Sequence, residues 1–295
     1  MALRINYNFE SISAQRNLTG TQNSFFHAIE QLSSGLRINK AADDAAGLAV
    51  SEKLKNQVRG LNQAQRNAQD SISLLQTAEG ALNETHSILA RMRELAVQSA
   101  NDTLTASDRL HIQDEVNQLL SEVDRIGNAT QFNTIALFNA AAAGGRAGFN
   151  FHVGANFETG NFANELLFTI GAAGGNALAG AVNGTINTTT LGVAALDVSG
   201  SQGVANAAIA TVDIAIEDIS TFRGAIGAMQ NRLESTINSL GVAAENTGAA
   251  NSRIRDADVA AAVSEMVRNQ ILQQSTMAVL AQANQAPQMA LQLLK

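Results

Sequence analysis

Leu54, Leu61, Ala68, Leu75, Leu82, Leu89 and Ala96 recur at intervals of seven residues, and Val58, Ala64, Ile72, Ala78 and Met92 fill the three-or-four steps between them. A single apolar stripe sustained over this many heptads specifies a long helix of coiled-coil type rather than a strand or a short globular helix. At 1.5 Å per residue the stretch 54–99 spans roughly 70–80 Å, too long for a compact domain, so it requires partners running alongside. Composition agrees. The 295 residues include one Pro (Pro287), one Tyr (Tyr7) and no Trp, so helices can run uninterrupted and bulky side chains for a wide core are scarce.

Two further segments carry matching stripes. After the loop NDTLTAS, Ser107 is the expected N-cap, Ile112, Val116, Leu119, Val123 and Ile126 step 4-3-4-3, and Gly127 is the expected stop. From 204 to 240, Val212, Ile219, Ile226, Leu233 and Leu240 repeat every seven residues beside Ala208, Ala215, Phe222 and Met229. Three heptad segments from distant parts of the chain predict an elongated antiparallel helical bundle, mainly α, in which the many Ala positions permit close helix approach.

Between the second and third stripes the character changes. Residues 140–203 hold more than half of the 23 Gly and four charged side chains, Arg146, Glu158, Glu165 and Asp197. The alternation Phe149, Phe151, Val153 and the run LLFTI at 166–170 predict strands of a small β-hairpin-rich insert. Residues 171–190 predict a loop, and 141–195 as a whole are expected to be surface-exposed and tolerant of shortening.

The ends have their own design. Residues 1–32 predict a patchily amphipathic helix with Ile12, Leu18, Phe25, Phe26, Ile29 and Leu32. In SSGLRINKAADDAAGLA, Gly35 can end one helix and Asp43 or Asp44 can cap the next; NTGAANSRIRDADVAAA repeats the plan with Asp256 or Asp258. Residues 269–294 hold no charge yet are rich in Gln, Ala, Leu and Met, a helix-forming composition that suits neither a solvated surface nor a membrane span. The chain divides on this reading into an N-terminal helix and connector (1–40), the first part of the core bundle (41–139), the β-rich insert (140–196), the second part of the bundle (197–253), and a C-terminal connector and helix (254–295).

The chemistry of a catalyst is missing. Without Cys there are no disulfides, thiolate metal sites or Cys nucleophiles, which suits a chain that crosses redox environments unfolded. His27, His86, His111 and His152 include no i, i+4 pair, and Gly144-Gly145 and Gly174-Gly175 lack the Lys-Ser/Thr of a phosphate loop. His86 reads as a packing side chain. Asp43-Asp44 reads as a helix cap with a solvated neighbour rather than a pair of catalytic carboxylates, and the Arg91-Met92-Arg93-Glu94 cluster reads as a solvated face. A net charge of −7 argues against nucleic acid. MALRINYNFES has no apolar core of a secretory signal, and no window is apolar enough for membrane insertion. No enzyme activity and no cofactor are expected.

Long motifs carry a resemblance. SSGLRINKAADDAAGLAVSEKLKNQVRGLNQAQRNAQDSISLLQTAEGALNET, RMRELAVQSAND and TQFN resemble the N-terminal part of bacterial flagellin, and NSRIRDADVAAAVSEMVRNQIL resembles its C-terminal signature. The resemblance covers about 1–139 and 197–295; the centre is shorter than in the larger members. It implies an extracellular subunit of the flagellar filament that polymerises with copies of itself, with the two terminal helices paired and lining the innermost tubes. It further implies unfolded passage through the type III flagellar export apparatus, an export chaperone, and contact with the filament cap and hook-associated proteins. A hook–filament junction protein of the same architecture is the alternative; a metallopeptidase-bearing member lacks its His pair here, and a secreted coiled-coil effector would not need neutral helices at both ends. Segments near 1–40 and 255–295 are expected to be largely disordered in the free subunit and to fold on assembly.

The resemblance also implies recognition of the subunit by a host Toll-like receptor. Arg91, Leu95 and Glu115 match the central positions of the family's receptor motif, and Ala90 departs from it. Arg91 and Leu95 share a helix face at i, i+4. On this reading Leu95 is exposed while its neighbour Ala96 is buried.

Overall fold

The computed structural model describes residues 8–139, 148–155, 165–169 and 186–293. These form helices α1 (Phe9–Ser34), α2 (Ala45–Ser99), α3 (Ala106–Ala129), α4 (Gln202–Arg255) and α5 (Val259–Leu293), with strands β1 (Gln131–Phe132), β2 (Ile135–Ala136), β3 (Gly148–His152) and β4 (Glu165–Thr169). The residues fall into two compact units, Met1–Val58 with Glu245–Lys295, and Arg59–Ala244.

The second unit is the predicted bundle. Leu75, Leu82, Leu89, Met92 and Ala96 of α2, Val116 and Val123 of α3, and Val212, Ile219, Ile226 and Leu233 of α4 are all buried in one core. Arg93 Nε donates to Asp213 Oδ1 at 2.5 Å and Gln230 Nε2 to Glu79 Oε2 at 3.1 Å, so α4 runs antiparallel to α2. A second heptad row, Leu74, Ala81, Ile88 and Leu95, lies beside the first and is also packed into the core. This overturns the exposed Leu95: it is 2% exposed. Two rows are buried because α2 meets more than one partner in this unit, which widens its apolar arc beyond a single seam.

Helix ends differ in three places from the sequence reading. α3 is capped by Thr105, not Ser107: Asp108 N–H donates to Thr105 Oγ1 at 3.3 Å while Asp108 Oδ2 accepts from the Thr105 N–H at 3.0 Å, a reciprocal capping box. α3 also runs through Gly127 to Ala129. Gly127 serves close approach rather than termination, because a Cβ there would stand 2.1 Å from the Ile186 carbonyl oxygen. Likewise α4 continues through NTGAANSRIR to Arg255, leaving only 256–258 as the connector.

The described part of the insert is not uniformly exposed. β3 pairs antiparallel with β4, Asn150 opposite Leu167, and Phe149, Phe151 and Val153 are buried; Phe149 and Phe151 stack with ring centroids 6.4 Å apart. The expected loop at 171–190 lies outside the described residues as far as 185. From 186 to 200 the chain is strapped onto the bundle. Ile186, Leu191, Val193, Leu196 and Val198 are buried. Asp124 accepts from the Thr188 N–H (2.8 Å) and hydroxyl (3.0 Å). Gln113 Nε2 donates to the Leu196 carbonyl (3.0 Å), its Oε1 accepts from the Val198 N–H (2.7 Å), and the Ser99 hydroxyl donates to the Val198 carbonyl. The expected exposure of 141–195 therefore fails at Phe149, Phe151, Val153, Ile186, Leu191 and Val193, whose apolar side chains join the core of the bundle.

In the first unit, α1 and α5 lie antiparallel. Ser11 Oγ donates to Asn284 Oδ1 and Asn8 Nδ2 to the Ala283 carbonyl, both at 2.8 Å, while Leu36 and Asp256 form a β-bridge at the other end. Gly35 ends α1 in the left-handed region (φ 69°), as its sequence position suggests.

Candidate assembly and recognition surfaces

The connectors are built by their carboxylates, but only two of the four cap helices. Asp44 Oδ1 accepts from the Gly47 N–H at 2.8 Å and starts α2; Asp258 Oδ1 accepts from the Ala260 (2.9 Å) and Ala261 (3.2 Å) N–H groups and starts α5. Asp43 instead closes the connector turn, its Oδ2 accepting from the Asn39 and Lys40 N–H groups at 2.9 Å each, with His27 Nε2 3.2 Å from its other oxygen. The amide of Lys40, then that of Asn39, holds the Asp43 carboxyl below its ordinary pKa. Asp256 accepts from the Ser252 hydroxyl at 2.5 Å and pairs with the first connector. The two connectors join through Arg37: its N–H donates to the Arg255 carbonyl (2.7 Å) and its Nη2 to the Ile254 carbonyl (2.6 Å).

The side of α5 that meets α1 has small and polar residues at its most buried positions. From 259 to 285 the residues that are not exposed are Ala262, Met266, Asn269, Gln273, Thr276, Leu280 and Ala283, a 4-3-4-3-4-3 seam. The matching seam of α1 is Ser11, Ala14, Leu18, Thr21, Phe25, Ala28 and Leu32. The fully buried members on both helices are Ala and one Asn. Meanwhile Val259, Val263, Val267, Ile271, Leu272, Met277 and Val279 of α5, and Phe9, Ile12, Phe26 and Ile29 of α1, are exposed. Val259, Val263, Val267 and Ile271 form one i, i+4 ridge, the geometry that packs into the groove of another helix. A hollow of about 510 Å³ opens along it between Val263, Val267, Arg268, Ile271 and Leu272.

In the bundle unit, Arg91 and Glu115 come together as the sequence suggested. Arg91 Nε and Nη2 donate to Glu115 Oε1 at 3.0 and 2.9 Å, and Nη1 donates to Glu94 Oε2 at 3.0 Å. Both Arg91 and Glu115 are about half exposed. Leu95 is beneath this surface rather than on it. His86 is half-buried, consistent with a packing role. Among the described residues no His, Asp and Glu cluster is arranged to hold a metal, and no helix is long and apolar enough to cross a membrane.

A heptad bundle, together with a pair of terminal helices that leave many Val, Ile, Leu and Phe side chains exposed, defines a class: a mainly α-helical protein with unpartnered apolar surface on its terminal helices. The N-terminal helical region of bacterial flagellin matches residues 5–143 and the C-terminal helical region matches 209–294. The chain belongs to the bacterial flagellin family, structural proteins that form the flagellar filament outside the cell. A flagellin of Halalkalibacterium halodurans is 47% identical over 291 residues, covering 99% of each chain. The flagellar filament 33 kDa core protein of Treponema phagedenis is 46% identical over a 306-residue alignment, again covering 99% of each. Among solved structures, a putative flagellar hook-associated protein from Vibrio parahaemolyticus shares the fold with a TM-score of 0.52 at 16% identity, covering 72% of this chain and 100% of that one.

Proposed function

We propose that this chain is a filament subunit that polymerises through the outward faces of α1 and α5, with copies of itself as its principal partner. The observation that carries the reading is the character of α5: the positions most buried toward α1 are Ala262, Asn269 and Ala283, while Val259, Val263, Val267, Ile271, Leu272, Met277 and Val279 are exposed. Burying seven such half-exposed side chains against neighbouring subunits is worth on the order of 5–10 kcal/mol gross per subunit. The uncharged stretch 269–294 lets Ile271, Leu272, Met277 and Val279 be buried without desolvating a charge, and Arg268 beside the rest of the ridge is paired with Glu265. The near-full-length similarity to filament proteins favours the filament over a hook–filament junction.

In this reading the small-residue seam is too weak to hold α1 and α5 together alone, so the terminal segments order as subunits join. An unfolded tail is also what an export apparatus and an export chaperone would handle, and the filament cap and hook-associated proteins would meet the same terminal helices. Arg91 and Glu115 form the polar centre of a surface for a host Toll-like receptor, supported from below by Leu95, which adjoining subunits would cover in the filament. Light scattering of the purified chain with filament seeds tests the reading: elongation of the seeds is expected, and a chain that never elongates them overturns it.

A further inference from the structure

The start of α1 and the later part of α5 enclose a groove of about 490 Å³. Phe9, Glu10, Ser13 and Asn17 of α1 line one wall, and Val279 and Gln282 of α5 the other. Two hydrogen bonds hold the walls together at this end, Asn8 Nδ2 to the Ala283 carbonyl and Ser11 Oγ to Asn284 Oδ1, both at 2.8 Å. Phe9 is 71% and Val279 56% exposed, so the apolar rims of the groove are uncovered.

The ridge through Val263, Val267 and Ile271 has the complementary shape, because a single i, i+4 row seats in the furrow between two helices. Its charge is complementary as well. Arg268 flanks the row, two-thirds exposed, and gives one N–H to Glu265 at 3.0 Å, which leaves further guanidinium donors for a second carboxylate. Among the described residues that line the groove, the charged one is Glu10.

Ridge and groove do not meet within one chain. Ser11 stands level with Asn284, so Glu10 stands level with Gln285, and Arg268 lies about 25 Å back along the same helix. They also occupy different sides: the ridge lies opposite the seam toward α1, and the groove runs along the flank between the two helices. A dimer that closes on itself needs one self-complementary face, whereas contact between two different faces repeats from copy to copy. We infer that the Val263–Ile271 ridge of one copy docks in the α1/α5 groove of a second copy, displaced by about 25 Å along the helix pair, with Arg268 facing Glu10. The inference rests on the chain being a filament subunit and names the two surfaces that join. This alignment brings Val263 level with Val279 of the other copy, Val267 with Phe9, and Ser264 with Ser13, each to within about one helical turn. Because the groove takes its walls from both helices, docking holds α1 against α5 and links their ordering to assembly.

The chain has no cysteine, so introduced thiols report alone. Ser13→Cys and Ser264→Cys in one full-length chain stand about 25 Å apart along the pair, well beyond the roughly 7 Å that a disulfide spans between Cα atoms. The wild-type chain is first tested for elongation of filament seeds. Seeds elongated with the double variant are then oxidised with copper-phenanthroline and resolved on a denaturing gel. A ladder of trimers and longer chains is expected, with each single variant giving no more than dimers. Dimers alone from the double variant overturn the repeating contact. Elongation without crosslinks overturns the docking and leaves the filament reading standing. A wild-type chain that does not elongate seeds removes the reading and the inference together. Should the thiol variants not assemble, charge exchange decides. Glu10→Arg or Arg268→Glu alone should slow elongation at least about fivefold, and the two combined should return it to within about twofold of wild type, as complementary charges steer association. Circular dichroism checks that each variant keeps wild-type helicity, and no rescue by the combination overturns the inference.

Discussion

Arg91 reaches across from α2 to Glu115 of α3 with two guanidinium nitrogens on one carboxylate oxygen, at 3.0 and 2.9 Å, while Leu95, one turn further along α2, is buried. The two residues of this helix turn do different work. Exposed ion pairs contribute little to stability, so Arg91→Ala should leave the melting temperature within a degree or two of wild type. It should lower the affinity of the soluble subunit for a Toll-like receptor by roughly tenfold, as truncation of an interface anchor does. Leu95→Ala should behave oppositely, costing about 2–5 kcal/mol through the cavity it leaves. Denaturant titration and receptor-binding titration of both variants check the split; a strongly destabilised Arg91→Ala, or a Leu95→Ala as stable as wild type, contradicts it.

Truncation separates the units. Removing 270–295 deletes most of α5 and touches no residue of the Arg59–Ala244 core. The shortened chain should keep a cooperative helical melt and lose the ability to elongate seeds. Circular dichroism and sedimentation of seeded mixtures measure both, and normal filaments from the truncated chain would count against assembly through α5.

Gly127→Ala should destabilise the bundle unit by about 1–3 kcal/mol, because the added methyl meets the backbone oxygen of Ile186 and the strap from 186 must shift. Gly224→Ala, also mid-helix but with nothing within 4 Å of the added Cβ, should be neutral or slightly stabilising. Thermal melts of the two variants, compared side by side, decide whether close approach is the reason for Gly127.

The Asp43 turn should open at low pH. Its folded-state pKa lies below that of the unfolded chain, chiefly through the Lys40 and Asn39 amides. Its stabilising contribution is therefore complete above the unfolded value, about 4, and is lost as pH falls through the folded value. Amide chemical shifts of Asn39 and Lys40, followed by NMR from pH 6 downward, should show their inflection below about 4, and Asp43→Asn should abolish it. An inflection above 4 would mean the turn does not hold the carboxylate.

The family was legible from long motifs, and the bundle from its spacing: the 75–82–89–96 row of α2 and the 212–219–226–233 row of α4 are the core. The neighbouring row through Leu74, Ala81, Ile88 and Leu95 has the same period, yet its burial depends on which later elements of the chain pack against α2. Gly127 looked like a helix stop because its neighbour across space, Ile186, is remote in sequence.

Sequence alone determined where the helices lie, that their connectors are carboxylate-capped, and that 269–294 is neutral. Local propensity and heptad repetition are written in adjacent residues, and charge needs no partner to be counted. Only the tertiary structure decided which face of each terminal helix is the inside. The most buried seam positions, Ala14, Ala28, Ala262, Asn269 and Ala283, produce little hydrophobic signal, and the Val and Ile ridge of α5 that does produce one points away from them. Which face is buried depends on how closely two backbones approach, and small residues allow that approach without announcing it in hydropathy.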